Sequence, residues 1–143
     1  MPAMSLPDDL SNCLILNTIA AARTRLRLYD AQLKPFGVTV QQFWLLAAIR
    51  AHPGEPVAAL AQRILLDRTS LTRNLDLLER KGLVRRISGP VNNARLCELT
   101  EPGNNVLERL RPEWQRAQSA LWDGLSDHDA ETYLRVARRL ARE

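Results

Sequence analysis

The spacing of apolar and polar positions divides the chain into six helical stretches and one hairpin. From Leu10 to about Leu33, apolar residues recur at Leu10, Leu14, Ala21, Leu28 and Ala31, with Asn17 as a break, which keeps them near one helix face. Asp8 or Asp9 is the predicted cap, and Pro35–Phe36–Gly37 ends the helix. Thr39 caps a second helix, from about Val40 to Ala51, with Phe43, Leu46, Ala47 and the stem of Arg50 as its apolar stripe. His52–Pro53–Gly54 stops it. Pro56 suits the start of a third helix, Val57 to about Arg63, because the N–H it lacks would be unpaired there anyway. Ile64–Leu65–Leu66 turns the chain, and Asp67 caps a fourth helix, Arg68 to Lys81, with Leu71, Leu75 and Leu78 as its buried stripe. Gly82 fits the left-handed position that follows a helix end.

Leu83–Ile87 and Arg95–Leu99 read as two strands, with residues 88–93 as the hairpin tip. Thr100 caps a fifth helix, from about Glu101 to Leu121, which Pro112 is expected to kink. Ser126 with Asp129 makes a capping-box-like start to a last helix ending near Ala141. The fold class is therefore mainly α with a small β-hairpin wing. Helix, turn, polar helix and wing in that order make a winged helix-turn-helix, a device that lays one helix in the DNA major groove. Residues 40–99 form this expected DNA-binding region within a single regulator domain spanning 1–143. Residues 10–34 and 101–142 supply long helices with no obvious partner inside a small winged domain. A second copy of the chain is the simplest cover for their apolar faces, so they form the expected dimerisation region.

Charge sharpens the picture. Residues 63–95 hold 8 basic side chains against 3 acidic, a net charge of +5, whereas residues 1–62 carry +1 and residues 96–143 carry −2. The surplus lies where contacts to phosphate would require it. No apolar run approaches the roughly 20 residues that cross a bilayer. Met1–Asp9 shows neither the basic nor the apolar region of a secretion signal. Two cysteines without metal-ligand spacing suit a reducing compartment, so a cytoplasmic protein is expected, with no membrane partner. There is no nucleophile–base pair, Gly-rich phosphate loop or metal set, which argues against an enzyme and against a cofactor.

The second of the paired helices carries the chemistry of double-stranded DNA recognition. Arg73 has the geometry to bond guanine O6 and N7 together, and Asn74 can do the same with adenine. Thr69, Ser70 and Thr72 suit phosphate contacts or a thymine methyl, and Arg68 suits a phosphate clamp. Asp76 is expected to make no contact, because a carboxylate repels the duplex. Arg95 on the wing either enters the minor groove or pairs with Glu98. Arg85 and Arg86 fall on opposite faces of one strand, so at most one points at the duplex; Arg86 is the candidate. Gln62 and Asn93 complete the candidate set. A competing reading is a winged-helix protein-interaction module without DNA binding, but such a surface would favour apolar or acidic exposure over a +5 charge.

The segments LYDAQLKPFGVTVQQFWLLAAI (28–49), LDRTSLTRNLDLLERKGLV (66–84) and ARLCELTEPG (94–103) resemble the MarR family of winged helix-turn-helix regulators. The resemblance covers nearly the whole chain. It implies a homodimer joined through its first, fifth and sixth helices, a pseudo-palindromic operator, and repression relieved by a small phenolic or similar ligand or by an oxidant. Two departures stand out. The family's turn commonly holds glycine where this chain has Ile64–Leu65–Leu66, so either a non-glycine residue takes the left-handed region at a cost of about 1 kcal/mol or the turn differs slightly. The wing commonly carries Asp-x-Arg, and this chain has Asn93–Ala94–Arg95, which loses the charge-assisted pair.

The resemblance also frames two regulatory candidates. Cys13 resembles the thiol of the family's peroxide-sensing branch, and Tyr29 falls where that branch places one of two tyrosines that hold the thiol. Val40 occupies the second place, Cys13 sits about two residues from the sensing position, and Asp8 and Asp9 disfavour a thiolate. The alternative is a small buried hydrophobe at a dimer interface; Cys97 reads as structural. Trp44, Trp114 and Trp122 either line a ligand cavity, as family pockets would have it, or pack the core. His52, His128 and the acidic run through Asp123, Asp127, Asp129 and Glu131 read as helix-end residues rather than a metal site.

Overall fold

The computed structural model describes residues 10–88, 95–121 and 124–142. The cap at Asp8 or Asp9, residues 89–93 of the hairpin tip with Asn93 among them, Trp122 and Asp123 lie outside the described residues, whereas Ser88 belongs to the first wing strand. A single 3-10 turn at Leu10–Asn12 leads into α1 (Leu14–Leu33), followed by α2 (Val40–Ala51), α3 (Val57–Arg63) and α4 (Arg68–Arg80). Strands β1 (Val84–Ser88) and β2 (Arg95–Leu99) pair antiparallel, with Arg86 opposite Cys97 and Arg85 opposite Glu98. Helices α5 (Glu101–Leu121) and α6 (Asp127–Leu140) close the chain.

Helix ends follow local chemistry. Thr39 and Gln42 form a reciprocal capping box at α2: the Gln42 N–H donates to Thr39 Oγ1 at 3.2 Å, and the Thr39 N–H donates to Gln42 Oε1 at 3.1 Å. Ser126 Oγ accepts the Asp129 N–H at 3.1 Å to start α6. Helix α1 begins later than its apolar pattern indicates, at Leu14 rather than Leu10. Helix α5 continues through Pro112. Strand β1 begins at Val84, because the Leu83 N–H is taken by the carbonyl of Leu78 at 2.9 Å.

The core gathers Leu33 from α1, Phe43, Leu45, Leu46 and Ile49 from α2, Leu60 from α3, the Leu71–Leu75–Leu78 stripe of α4, and Leu107 and Leu110 from α5. Helix α2 is buried on nearly every side, so its interior extends beyond the expected stripe to Val40, Leu45, Ala48 and Ile49, while Arg50 stays at the surface and pairs with Glu108. The start of α5 approaches β1 so closely that a Cβ at Gly103 would lie 2.0 Å from the Leu83 carbonyl oxygen. Helix α1 uses a different face from the one its pattern favours. Tyr29 and Leu33 are buried and Leu26 packs against the core, whereas Leu10, Leu14 and Leu28 remain exposed. Helix α6 buries no residue.

Candidate nucleic-acid interface

The two helices of the reading unit end in the same way. After α3, the Leu66 N–H donates to the Ala61 carbonyl at 3.0 Å and the Leu65 N–H to the Gln62 carbonyl at 3.4 Å. After α4, the Leu83 N–H donates to Leu78 and the Gly82 N–H to Glu79, both at 2.9 Å. Both are Schellman closures, which need a left-handed residue immediately beyond the helix. Gly82 takes φ 73°, and Leu65 takes φ 61° as the one non-glycine residue with positive φ among the described residues. The expected strain is therefore located at Leu65.

Asp67 then fixes the start of α4. Its Oδ1 accepts the Ser70 N–H at 2.7 Å, and the Ser70 hydroxyl donates to its other oxygen at 3.2 Å. The backbone bond first, and the Ser70 hydroxyl second, hold the Asp67 carboxyl below its ordinary range. Ser70 is thus committed to the cap. Beyond it, Arg68, Thr69, Thr72, Arg73 and Arg80 line an open trough along the outward face of α4, with Asp76 on its flank. On α4 and β2, Arg68, Arg73, Arg80 and Arg95 make no ion pair within 4 Å among the described residues, although the Arg73 charge still acts on the Asp67 carboxyl. Gln62 is exposed at the end of α3, and Arg95 is exposed at the start of β2.

Asn74 does not belong to that face. It is only 6% exposed, and its Oδ1 accepts a hydrogen bond from Gln42 Nε2 at 3.2 Å. The leucine spacing already contained this outcome, since position 74 lies three residues after Leu71 and four before Leu78. Its affinity for adenine as a residue type drew it to the wrong face. Arg86 is a second correction. Its guanidinium hydrogen-bonds Asp76, and its Nε lies 3.5 Å from Glu79 Oε2, so the side chain ties the wing strand to α4 instead of reaching outward. Asp76, expected to make no contact with DNA, is its partner. Arg85 pairs across the hairpin with Glu98 at 2.9 Å, which occupies the carboxylate that Arg95 would otherwise meet.

Trp44 and Trp114 come together with Tyr29, which the sequence singled out for another role, and with residues that it did not. They line a cavity of about 660 Å³ with Tyr29, Gln118, Tyr133 and Leu134, where α1, α2, α5 and α6 meet. Trp114 also stands against Phe43, with ring centroids 6.2 Å apart. Tyr29 donates to Gln118 Oε1 at 2.5 Å, and burial raises its phenol above the ordinary value. Cys13, partly exposed, precedes the first residue of α1. It is separated from Tyr29 by most of that helix, roughly 24 Å at 1.5 Å per residue, so the two do not meet within one chain. Cys97 is buried on wing strand β2, and burial pushes its thiol up.

A capped, basic helix fed by a tight turn and braced by a two-stranded wing defines a winged helix-turn-helix protein. The chain belongs to the MarR family of transcriptional regulators: residues 36–92 match the family model. A solved structure of the M. tuberculosis transcriptional regulator MosR is 34% identical over 93% of both chains, with a TM-score of 0.78. MosR in complex with DNA is 32% identical, covers 92% of this chain and all of that one, and superposes with a TM-score of 0.72. A transcriptional regulatory protein for the hcr operon of Thauera aromatica is 32% identical over 108 residues. That match takes in 75% of this chain and 65% of the relative, slightly less than two thirds of its length.

Proposed function

We propose that this chain is a sequence-specific DNA-binding repressor that acts as a homodimer on a pseudo-palindromic operator and is released by a small aromatic ligand. The observation that carries the reading is the row of guanidinium groups, Arg68, Arg73 and Arg80, that make no close ion pair along the outward face of a rigidly capped α4, with Arg95 beside it on the wing. A protein leaves such charges uncompensated at little gain to its own stability, and a polyanion repays them through counterion release. Arg73 is the base reader, Arg68 and Arg80 hold phosphate, Thr69 and Thr72 sit between them, and Gln62 touches the flanking backbone. Arg95 enters the minor groove. The structure of MosR with DNA supports the same partner for this chain.

Residues 40–99 form the DNA-binding region, and residues 10–34 and 101–142 form the dimerisation region. Exposed Leu14, Ile15 and Ile19 on α1 and Tyr133, Val136 and Leu140 on α6 support dimerisation, since an apolar surface of this extent is normally covered. The cavity between Trp44 and Trp114 supports the ligand reading, being largely apolar with a few convergent polar groups.

The test is fluorescence anisotropy with duplex from the promoter region of the chain's own gene beside an unrelated duplex, titrated over salt. Selective binding that falls steeply with salt is the expected result. Absence of binding to either duplex at low salt would defeat the reading.

A further inference from the structure

We infer that Leu65 is a specificity-determining residue that contacts a thymine methyl group at the outer edge of each half-site. This inference rests on the DNA reading above and adds a residue to it.

Three observations converge on Leu65. It occupies the left-handed position between α3 and α4, with φ 61°, where an L side chain is strained and glycine is not. Its side chain is 89% exposed, so it returns nothing to the core. The apolar contact that accompanies this kind of helix end falls to the following residue instead: Leu66 and Ala61 are both buried in the core cluster. The fold therefore needs the left-handed backbone and Leu66, but not a leucine at 65. Strain retained without a structural return is a mark of function.

Position selects the partner. Leu65 immediately precedes the Leu66–Asp67 step into α4, three residues before Arg68. Between positions 62 and 73 the other exposed residues are Gln62, Arg63, Asp67, Arg68, Thr69, Thr72 and Arg73, with Arg63 paired to Glu55 and Asp67 held in the α4 cap, and no other large hydrophobic residue there is exposed. A polar stretch around one apolar knob, with Arg68 and Arg73 as cations that make no ion pair, is poor in the apolar area that a protein interface uses at its centre. It suits a duplex, whose phosphates meet the cations and whose one apolar feature in the major groove is the C5-methyl of thymine. The amino-terminal end of a recognition helix is the part that reaches base edges, which places Leu65 at the rim of that contact.

The experiment replaces each operator thymine in turn with deoxyuridine, which removes only the methyl group, and compares wild type with Leu65→Asn and Leu65→Gly. Asparagine and glycine both accept a left-handed backbone, so both variants are expected to melt within a few degrees of wild type. For wild type, one thymine at the outer edge of each half-site is expected to lose about fourfold in affinity on demethylation, the worth of one buried methyl-sized group. Both variants are expected to bind the natural operator about fourfold more weakly and to ignore that substitution. Equal affinity of wild type and variants, or the same deoxyuridine profile for all three, would overturn the inference. So would a fall in melting midpoint of more than about 5 °C in Leu65→Asn, which would give leucine a structural role. Failure of the wild type to select any duplex is a separate result, since it removes the DNA reading itself.

Discussion

The segment from α2 through the wing and the pair formed by α1 and α6 are both amphipathic, yet they meet opposite fates within one chain. In the first, Leu45, Leu46, Leu60 and Leu78 are essentially inaccessible, and the wing is tied back to α4 through Arg86. In the second, α6 buries nothing and the first turns of α1 present Leu14, Ile15, Leu16 and Ile19 to solvent. The difference teaches that apolar periodicity states that a face must be covered without stating by what. The reading unit covers itself because short connections return each helix to its neighbours. The terminal helices run past the edge of that core, and nothing within the chain covers their apolar faces among the described residues.

Several changes would break or sharpen this contrast. The largest effect is expected from Val136→Asp with Leu140→Asp, two exposed positions one helical turn apart on α6. Sedimentation should show a monomer with a folded reading unit, and operator affinity should fall by about 10²–10⁴ as the second half-site contact is lost. A double variant that stays dimeric would remove α6 from the interface. On the self-covered side, Asn74 and Arg73 are sequence neighbours with opposite expected phenotypes. Asn74→Ala should lower stability by about 1–3 kcal/mol, because Gln42 Nε2 loses its acceptor. Arg73→Ala should leave the melting midpoint alone, cost about 1–3 kcal/mol in operator affinity and relax one base position. Exchange of the two phenotypes would reverse the assignment of helix faces.

Arg95→Ala is a smaller change. Affinity should weaken across all sequences, with the salt slope reduced by about one; an unchanged slope would place Arg95 off the duplex. The smallest effect concerns pH. The Asp67 carboxyl is depressed by the Ser70 N–H and then by the Ser70 hydroxyl, so its stabilisation of α4 is present above the ordinary carboxylate value. It is lost as pH falls through the lowered folded value. The protection of the Ser70 amide, its exchange rate set against the intrinsic rate at the same pH, should therefore fall in acid in the wild type, and the gap from Asp67→Ala should close there. A gap that persists into strong acid would separate the cap from the charge.

Much of the architecture is legible along the chain because helix ends are local events. Thr39, Asp67 and Ser126 cap where their side chains reach an N–H three residues on, and Gly37 and Gly82 supply left-handed stops. The strain at Leu65 follows from the same rule, since a Schellman end demands positive φ whatever residue arrives there. The net +5 of residues 63–95 is equally a property of the chain alone. These features depend on residues within one or two turns of each other, and the backbone enforces them.

Tertiary structure decided what depended on distant partners. Asn74 faces inward because Gln42, 32 residues earlier, waits across the core with a donor. Arg86 turns toward α4 because Asp76 and Glu79 stand one turn apart beside β1, and pairing them is better than leaving a guanidinium half-covered and alone. The space beside Trp44 and Trp114 exists because four helices diverge at one place, which no single periodicity encodes. Propensity and capping are sums over neighbours, and the sequence states them in full. Which polar group meets which across the core depends on packing geometry, and only the folded chain supplies that.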